Sequence, residues 1–122
     1  MRRAACFAAC LIALAAPAAA GSKQFKTPSG NIGCYYQYLY GDLLTCLRYE
    51  PTVQAVFLSG DGANAAVPET WGRELVGEDV PVLGYGQTRR IGEITCKSEK
   101  ASLTCEGHGH GFSVSRRGID TY

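Results

Sequence analysis

Four cysteines constrain this chain more than any other feature. Cys34 and Cys46 lie symmetrically about Tyr40, beside Gly41-Asp42, and Cys96 and Cys105 lie symmetrically about Lys100-Ala101. A Gly-Asp pair between apolar runs is a turn signal, so each cysteine pair reads as two facing positions of an antiparallel hairpin. Four cysteines allow three connectivities, and hairpin geometry favours Cys34–Cys46 and Cys96–Cys105. The alternative is a zinc site built from all four thiolates, but neither spacing supplies a C-x-x-C knuckle.

The other two cysteines, Cys6 and Cys10, fall in residues 1–20, which read as a secretory signal peptide. Arg2 and Arg3 form its basic start and residues 4–16 its apolar run, which Pro17 breaks; Ala18 and Ala20 are the small residues of a cleavage site before Gly21. Ala4-Ala5-Cys6-Phe7 continues a twin-arginine motif poorly, so ordinary Sec export is expected. Cys10 sits inside the apolar run rather than at its end, which argues against lipidation. Removing these 20 residues from 122 leaves 102, enough for one small domain, residues 21–122. That part carries ten basic and eleven acidic residues, so charge gives no case for nucleic acid. No apolar run in it is long enough for a membrane span. A periplasmic or extracellular location is expected, where disulfides persist.

All 15 glycines follow the signal, and no segment sustains a 3.6-residue apolar period. The expected fold is all-β or nearly so, a small disulfide-stapled antiparallel β-sandwich or partly open barrel. Residues 24–27 read as a first strand, Pro28-Ser29-Gly30 as a turn, and residues 31–39 and 43–49 as a hairpin. Alternation puts Ile32, Cys34, Tyr36, Leu44 and Cys46 on its core face. Residues 53–58 read as a strand, 59–64 as a flexible loop, and 68–75 as a helical turn with Trp71 inward. Residues 80–83, interrupted by Pro81, suit an edge strand or extended loop. Residues 88–98 and 102–106 form the second hairpin, and 111–115 the last strand. No internal repeat is evident.

Several stretches carry a family likeness. They are Phe25-Lys26-Thr27-Pro28-Ser29-Gly30-Asn31-Ile32-Gly33-Cys34, Cys46-Leu47, Trp71-Gly72 and Val82-Leu83-Gly84-Tyr85-Gly86-Gln87-Thr88. The C-terminal half adds Cys96-Lys97-Ser98, Leu103-Thr104-Cys105, Gly109-His110-Gly111-Phe112 and Ser115-Arg116. On these motifs the chain resembles a group of small exported bacterial proteins classed as a domain of unknown function. The resemblance implies export, cysteine pairing and a β-rich fold, and supplies no reaction. Two features depart from that pattern. A further cysteine pair near Trp-Gly is missing, and Arg89 follows Gln87-Thr88 where the group often has Trp.

His108 and His110 are the only histidines. On a strand, period 2 puts both imidazoles on one face with Phe112 and Val114, the start of a metal site that a carboxylate would complete. The simpler reading places His110 at the rim of the core, bonded to a carbonyl, with His108 in water. Ser113 and Ser115 would point away from His110, and neither G-x-S-x-G nor H-E-x-x-H occurs, so no catalytic residue is assigned. Asp61-Gly62 lacks the spacing of a calcium loop, and Tyr85-Gly86-Gln87 marks a tight backbone passage rather than a phosphate loop. Tyr35, Tyr36, Tyr38, Tyr40 and Tyr49 concentrate around one hairpin, where rings can stack on sugars or anchor a protein.

The first expectation is a non-catalytic binding module without a cofactor, partnered by a protein or glycan of the cell envelope. Its candidate surface is Tyr35, Tyr38 and Tyr40, or the His110 strand with Tyr85 and Arg116. The alternatives are a metal-dependent or hydrolytic enzyme centred on His108 and His110, and an inhibitor of an envelope-targeting enzyme.

Overall fold

A computed structural model describes residues 23–66 and 79–122. The expected signal peptide and the Trp71 helical turn lie outside the described residues. Among the described residues, ten strands form two five-stranded antiparallel sheets. The first contains β1 (Gln24–Lys26), β2 (Ile32–Tyr38), β3 (Asp42–Arg48), β4 (Gln54–Ser59) and β5 (Gly62–Ala66), in that order. The second contains β6 (Thr88–Ile91), β7 (Ile94–Ser98), β8 (Ser102–Gly107), β9 (His110–Ser115) and β10 (Ile119–Thr121), again in sequence order. The sheets pack face to face and do not close into a barrel, so the sandwich is the form adopted.

The alternation read from the first hairpin holds. Ile32, Cys34, Leu44 and Cys46 are buried between the sheets, and Tyr36 packs against them. Cys34 faces Cys46 and Cys96 faces Cys105 in the strand register, and both disulfides are formed. The outer face of the first sheet holds a second apolar cluster, in which Tyr35, Tyr49, Phe57 and Val80 pack over buried Leu47 and Ala55.

Three boundaries differ from the sequence reading. Residues 59–64 are not a flexible loop, because Ser59 pairs with Gly62 around Gly60-Asp61 and β5 follows. Residues 88–98 are not one arm, because Gly92, with φ 60°, turns the chain between Ile91 and Ile94. A final strand, β10, pairs with β9 through Ile119 and Val114. The segment before β6 is extended as expected, with Val82 bridged to Lys26 of β1.

The two sheets also repeat each other, contrary to the sequence reading. Register aligns Ile32 with Ile94, Cys34 with Cys96, Leu44 with Leu103, and Cys46 with Cys105. It continues through Val56 with Phe112, Leu58 with Val114, and Ala63 with Ile119. Each half therefore carries Ile-x-Cys, Leu-Thr-Cys, then apolar-x-apolar-Ser-x-x-Gly. All these positions belong to or pack against one core. The exception is Phe25, whose counterpart across the paired strands is Arg89. The two touch, with the Arg89 guanidinium 5.5 Å from the centre of the Phe25 ring. Burial pushes the Arg89 pKa down.

One strand ties the halves together. The inward positions of β3 are Asp42, Leu44, Cys46 and Arg48. Arg48 is buried and donates from Nη1 to the carbonyls of Ser115 and Arg116, at 3.0 and 3.2 Å, where β9 ends. Asp42 reaches the second sheet at the opposite end of the strand.

The disulfides restrict loops of 12 and 9 residues. Reduction should lower unfolding free energy by about 2–3 kcal/mol per bridge. Urea unfolding with and without reductant measures this, and an unchanged midpoint would contradict it.

Candidate functional site

The Tyr-rich hairpin divides into three environments. Tyr35 is half-buried in the outer apolar cluster. Tyr36 points into the sandwich. Tyr38, Leu39 and Tyr40 run out past the end of the sandwich, and Tyr38 and Leu39 are 71% and 57% exposed, with Tyr40 fully exposed. Tyr38 pairs with Asp42, so Leu39-Tyr40-Gly41 form a three-residue loop. Tyr40 adopts φ 59°, a left-handed conformation that bulky side chains avoid at a cost on the order of 1–2 kcal/mol.

This tip is longer than its counterpart. Seven residues join Tyr36 to Leu44, whereas four join the matching Ser98 to Leu103. The additional length carries the exposed apolar side chains.

Its base is anchored by a buried carboxylate. Asp42 is 7% exposed. Its Oδ1 accepts a short hydrogen bond from the Tyr36 hydroxyl. Its Oδ2 accepts from the Glu93 backbone N–H at 2.9 Å and lies 2.9 Å from His108 Nε2. Two of these three partners belong to turns of the second sheet. Gly92 leaves the room for them, because a Cβ there would fall 2.6 Å from the Tyr36 hydroxyl.

Burial alone pushes the Asp42 pKa up, but Tyr36, the Glu93 amide and His108 together hold it below the ordinary carboxylate value. The same hydrogen bond, with burial and the Asp42 charge, pushes Tyr36 up to about 12. An acid beside an imidazole can orient a general base. Here both Asp42 oxygens are occupied by structural donors, and no hydroxyl or thiol nucleophile contacts the ring among the hydrogen bonds of the described residues. The cluster joins the two sheets as a cross-sheet latch.

The histidine pair is not a strand pair. His108 and Gly109 have φ 56° and 80° and form the two-residue turn between β8 and β9, where Gly107 pairs with His110. A type I′ turn requires positive φ at both central positions, and this removes the same-face geometry that paired ligands would need. His108 is also not simply solvated, since it bonds Asp42. His110 begins β9 and lies against Gly62. Among the described residues, no group of three His, Cys, Asp or Glu side chains is placed to hold a metal.

His110, Tyr85 and Arg116 do not form one surface. His110 borders a shallow groove with Thr95, Glu106 and Tyr122, whose hydroxyl donates to Glu106 Oε2 at 2.7 Å. Tyr85 and Arg116 share a different groove at the far end of β9. Six strand residues, at about 3.3 Å each, separate the two ends.

Asp42 and Arg48 were not singled out from the sequence. Their signal is the inward parity of Leu44 and Cys46 extended by one step in each direction. No family model, curated protein or solved structure matches the chain.

Replacing Asp42 with Ala leaves the Tyr36 hydroxyl and the Glu93 amide without an acceptor, and should lower stability by about 2–3 kcal/mol. Because its folded pKa is depressed, the Asp42 contribution is complete above the ordinary carboxylate value of 3.8 and disappears as pH falls through the lower folded value. The Tyr36 contribution has the opposite sign. It is complete below pH 10 and is lost as pH rises through about 12. NMR titration of the Tyr36 ring should show its pKa moving back towards 10 in Asp42→Asn. An unmoved titration would show that Asp42 does not cause the shift.

Proposed function

We propose that this chain is an exported, non-catalytic protein-binding module whose docking element is the Tyr38-Leu39-Tyr40 tip. One observation carries the reading: the first hairpin exceeds its counterpart by three residues, and its loop presents large apolar side chains to water. Folding alone favours polar residues at such a loop, and Gly or Asn at the left-handed position that Tyr40 occupies. Local strain held by surrounding structure marks candidate sites of function. The Cys34–Cys46 bridge and the Asp42 latch brace the base of the tip, so little conformational entropy remains to be lost on docking. Aromatic anchors on a rigid support are the usual energetic centre of a protein interface.

Disulfides and the absence of a long apolar helix among the described residues are compatible with export. The resemblance to small exported bacterial proteins points the same way. A protruding rigid loop also suits an inhibitor that fills the cleft of an envelope-targeting enzyme, a special case of the same module. We favour the non-catalytic reading over the enzyme alternative because His108 is engaged by Asp42 and stands in the turn before His110, so the two imidazoles do not form a pair.

The test is affinity capture from the host's envelope extract, followed by titration of the retained protein. Triple replacement of Tyr38, Leu39 and Tyr40 by Ser should weaken binding by at least about 100-fold, since central anchors contribute ~2 kcal/mol or more each. Unchanged affinity in a variant with unaltered thermal unfolding would overturn the tip reading.

A further inference from the structure

At the end of the sandwich opposite the tip, several tight turns converge. Thr27 to Gly30 is closed by Gly30 N–H donating to the Thr27 carbonyl, and Gly84 to Gln87 by Gln87 N–H donating to the Gly84 carbonyl. Glu99 to Ser102 is closed by Glu99 N–H donating to the Ser102 carbonyl, and Ser115 and Gly118 exchange hydrogen bonds around Arg116-Arg117. Together they line a groove of about 160 Å³ that includes Asn31, Tyr85, Lys100, Ser102 and Arg116. A wider channel of about 760 Å³ continues from Lys100, Ser102 and Arg116 to Arg117 and Asp120.

Its charge is not a consequence of the fold. In the first half, the matching turn between Ser59 and Gly62 is Gly60-Asp61, and here Arg116-Arg117 occupies that place. No carboxylate pairs with Lys100, Arg116 or Arg117 among the described residues, whereas Glu99 is 4.0 Å from Lys97. The frame holding these groups is fixed. Buried Arg48 bonds the Arg116 carbonyl. Gly86, at φ 85°, completes the turn that presents Tyr85, and the Gln87 side chain accepts from the Gly84 N–H at 2.7 Å.

We propose that this groove binds an acidic saccharide, such as a uronate-containing chain. A half-exposed Tyr85 ring offers an apolar face for a pyranose. Lys100, Arg116 and Arg117 offer charge-assisted donors for its carboxylate. Ser102 and Ser115 offer neutral hydroxyls for the sugar, and the Asn31 amide, held at both ends by the Glu50 backbone, borders them. The carboxylates of Glu99 and Asp120 in the lining offer acceptors for sugar hydroxyls. The smaller groove takes one ring, and the channel takes its neighbours in the chain.

The test is an NMR titration of the isotope-labelled protein with trigalacturonate, alongside a neutral trisaccharide and inorganic phosphate. Saturable amide shifts are expected at Tyr85, Lys100 and Arg116, with dissociation constants in the ~0.1–10 mM range of small-ligand sites. Arg116→Gln and Tyr85→Ser should each weaken binding by about tenfold, the effect of losing ~1.4 kcal/mol. The Ser-substituted tip should bind normally, so failure here and failure of the tip reading are distinguishable. No saturable shift, or shifts confined to other residues, would overturn the proposal. An equal response to phosphate would reduce the groove to a bare anion site, and an equal response to the neutral sugar would remove the role of the cations. Either result rejects an acidic saccharide.

Discussion

A carboxylate taken out of water has to be answered by donors, and the donors that answer Asp42 come from both sheets. Tyr36 belongs to the strand beside it, while the Glu93 amide and His108 belong to two turns of the opposite sheet. At the far end of the same strand, Arg48 makes the reciprocal connection, donating to carbonyls that end β9. Between them lie Leu44 and Cys46, inside the common core. Apolar burial drives the sheets together but is non-directional, so it leaves their relative placement loosely defined. Hydrogen bonds are directional, and two sets at the ends of β3 fix that placement. The positions of the tip and of the groove both follow from it.

The repeated plan of the halves makes their differences informative. Matched inward positions are apolar because both halves contribute to one interior. The departures lie where the shared fold does not require them. One hairpin is longer and carries Tyr38, Leu39 and Tyr40, and one tight turn is Arg116-Arg117 in place of Gly60-Asp61. Arg89 is a third departure, stacked on its own counterpart, Phe25. The first two fall at opposite ends of the sandwich, so the two proposed surfaces do not overlap.

Strand alternation and cysteine spacing carried the local reading far. Period 2 placed Ile32, Cys34, Tyr36, Leu44 and Cys46 on one face, and facing positions identified both bridges, because each depends only on residues in one hairpin. The two histidines are ambiguous in sequence for a related reason. His108-Gly109 has alternating glycines like a strand, and only the pairing of Gly107 with His110 shows it to be a turn. The repeat is hidden in the sequence because its matching motifs are separated by loops of different length. Nine residues lie between Cys34 and Leu44, and six between Cys96 and Leu103.

The all-β class, the strand partners of the two disulfide-bearing hairpins and the covalent framework are legible from the sequence alone. These are set by neighbours along the chain, through side-chain alternation and turn chemistry. Which end of each hairpin meets which turn of the other sheet is set by the packing of the two sheets. That packing brings His108 and Glu93, 66 and 51 residues away, onto Asp42, and gathers Tyr85, Lys100 and Arg116 around one groove. No local periodicity encodes such meetings. They follow from which polar groups become buried when two sheets close on each other, and from the few partners then within reach.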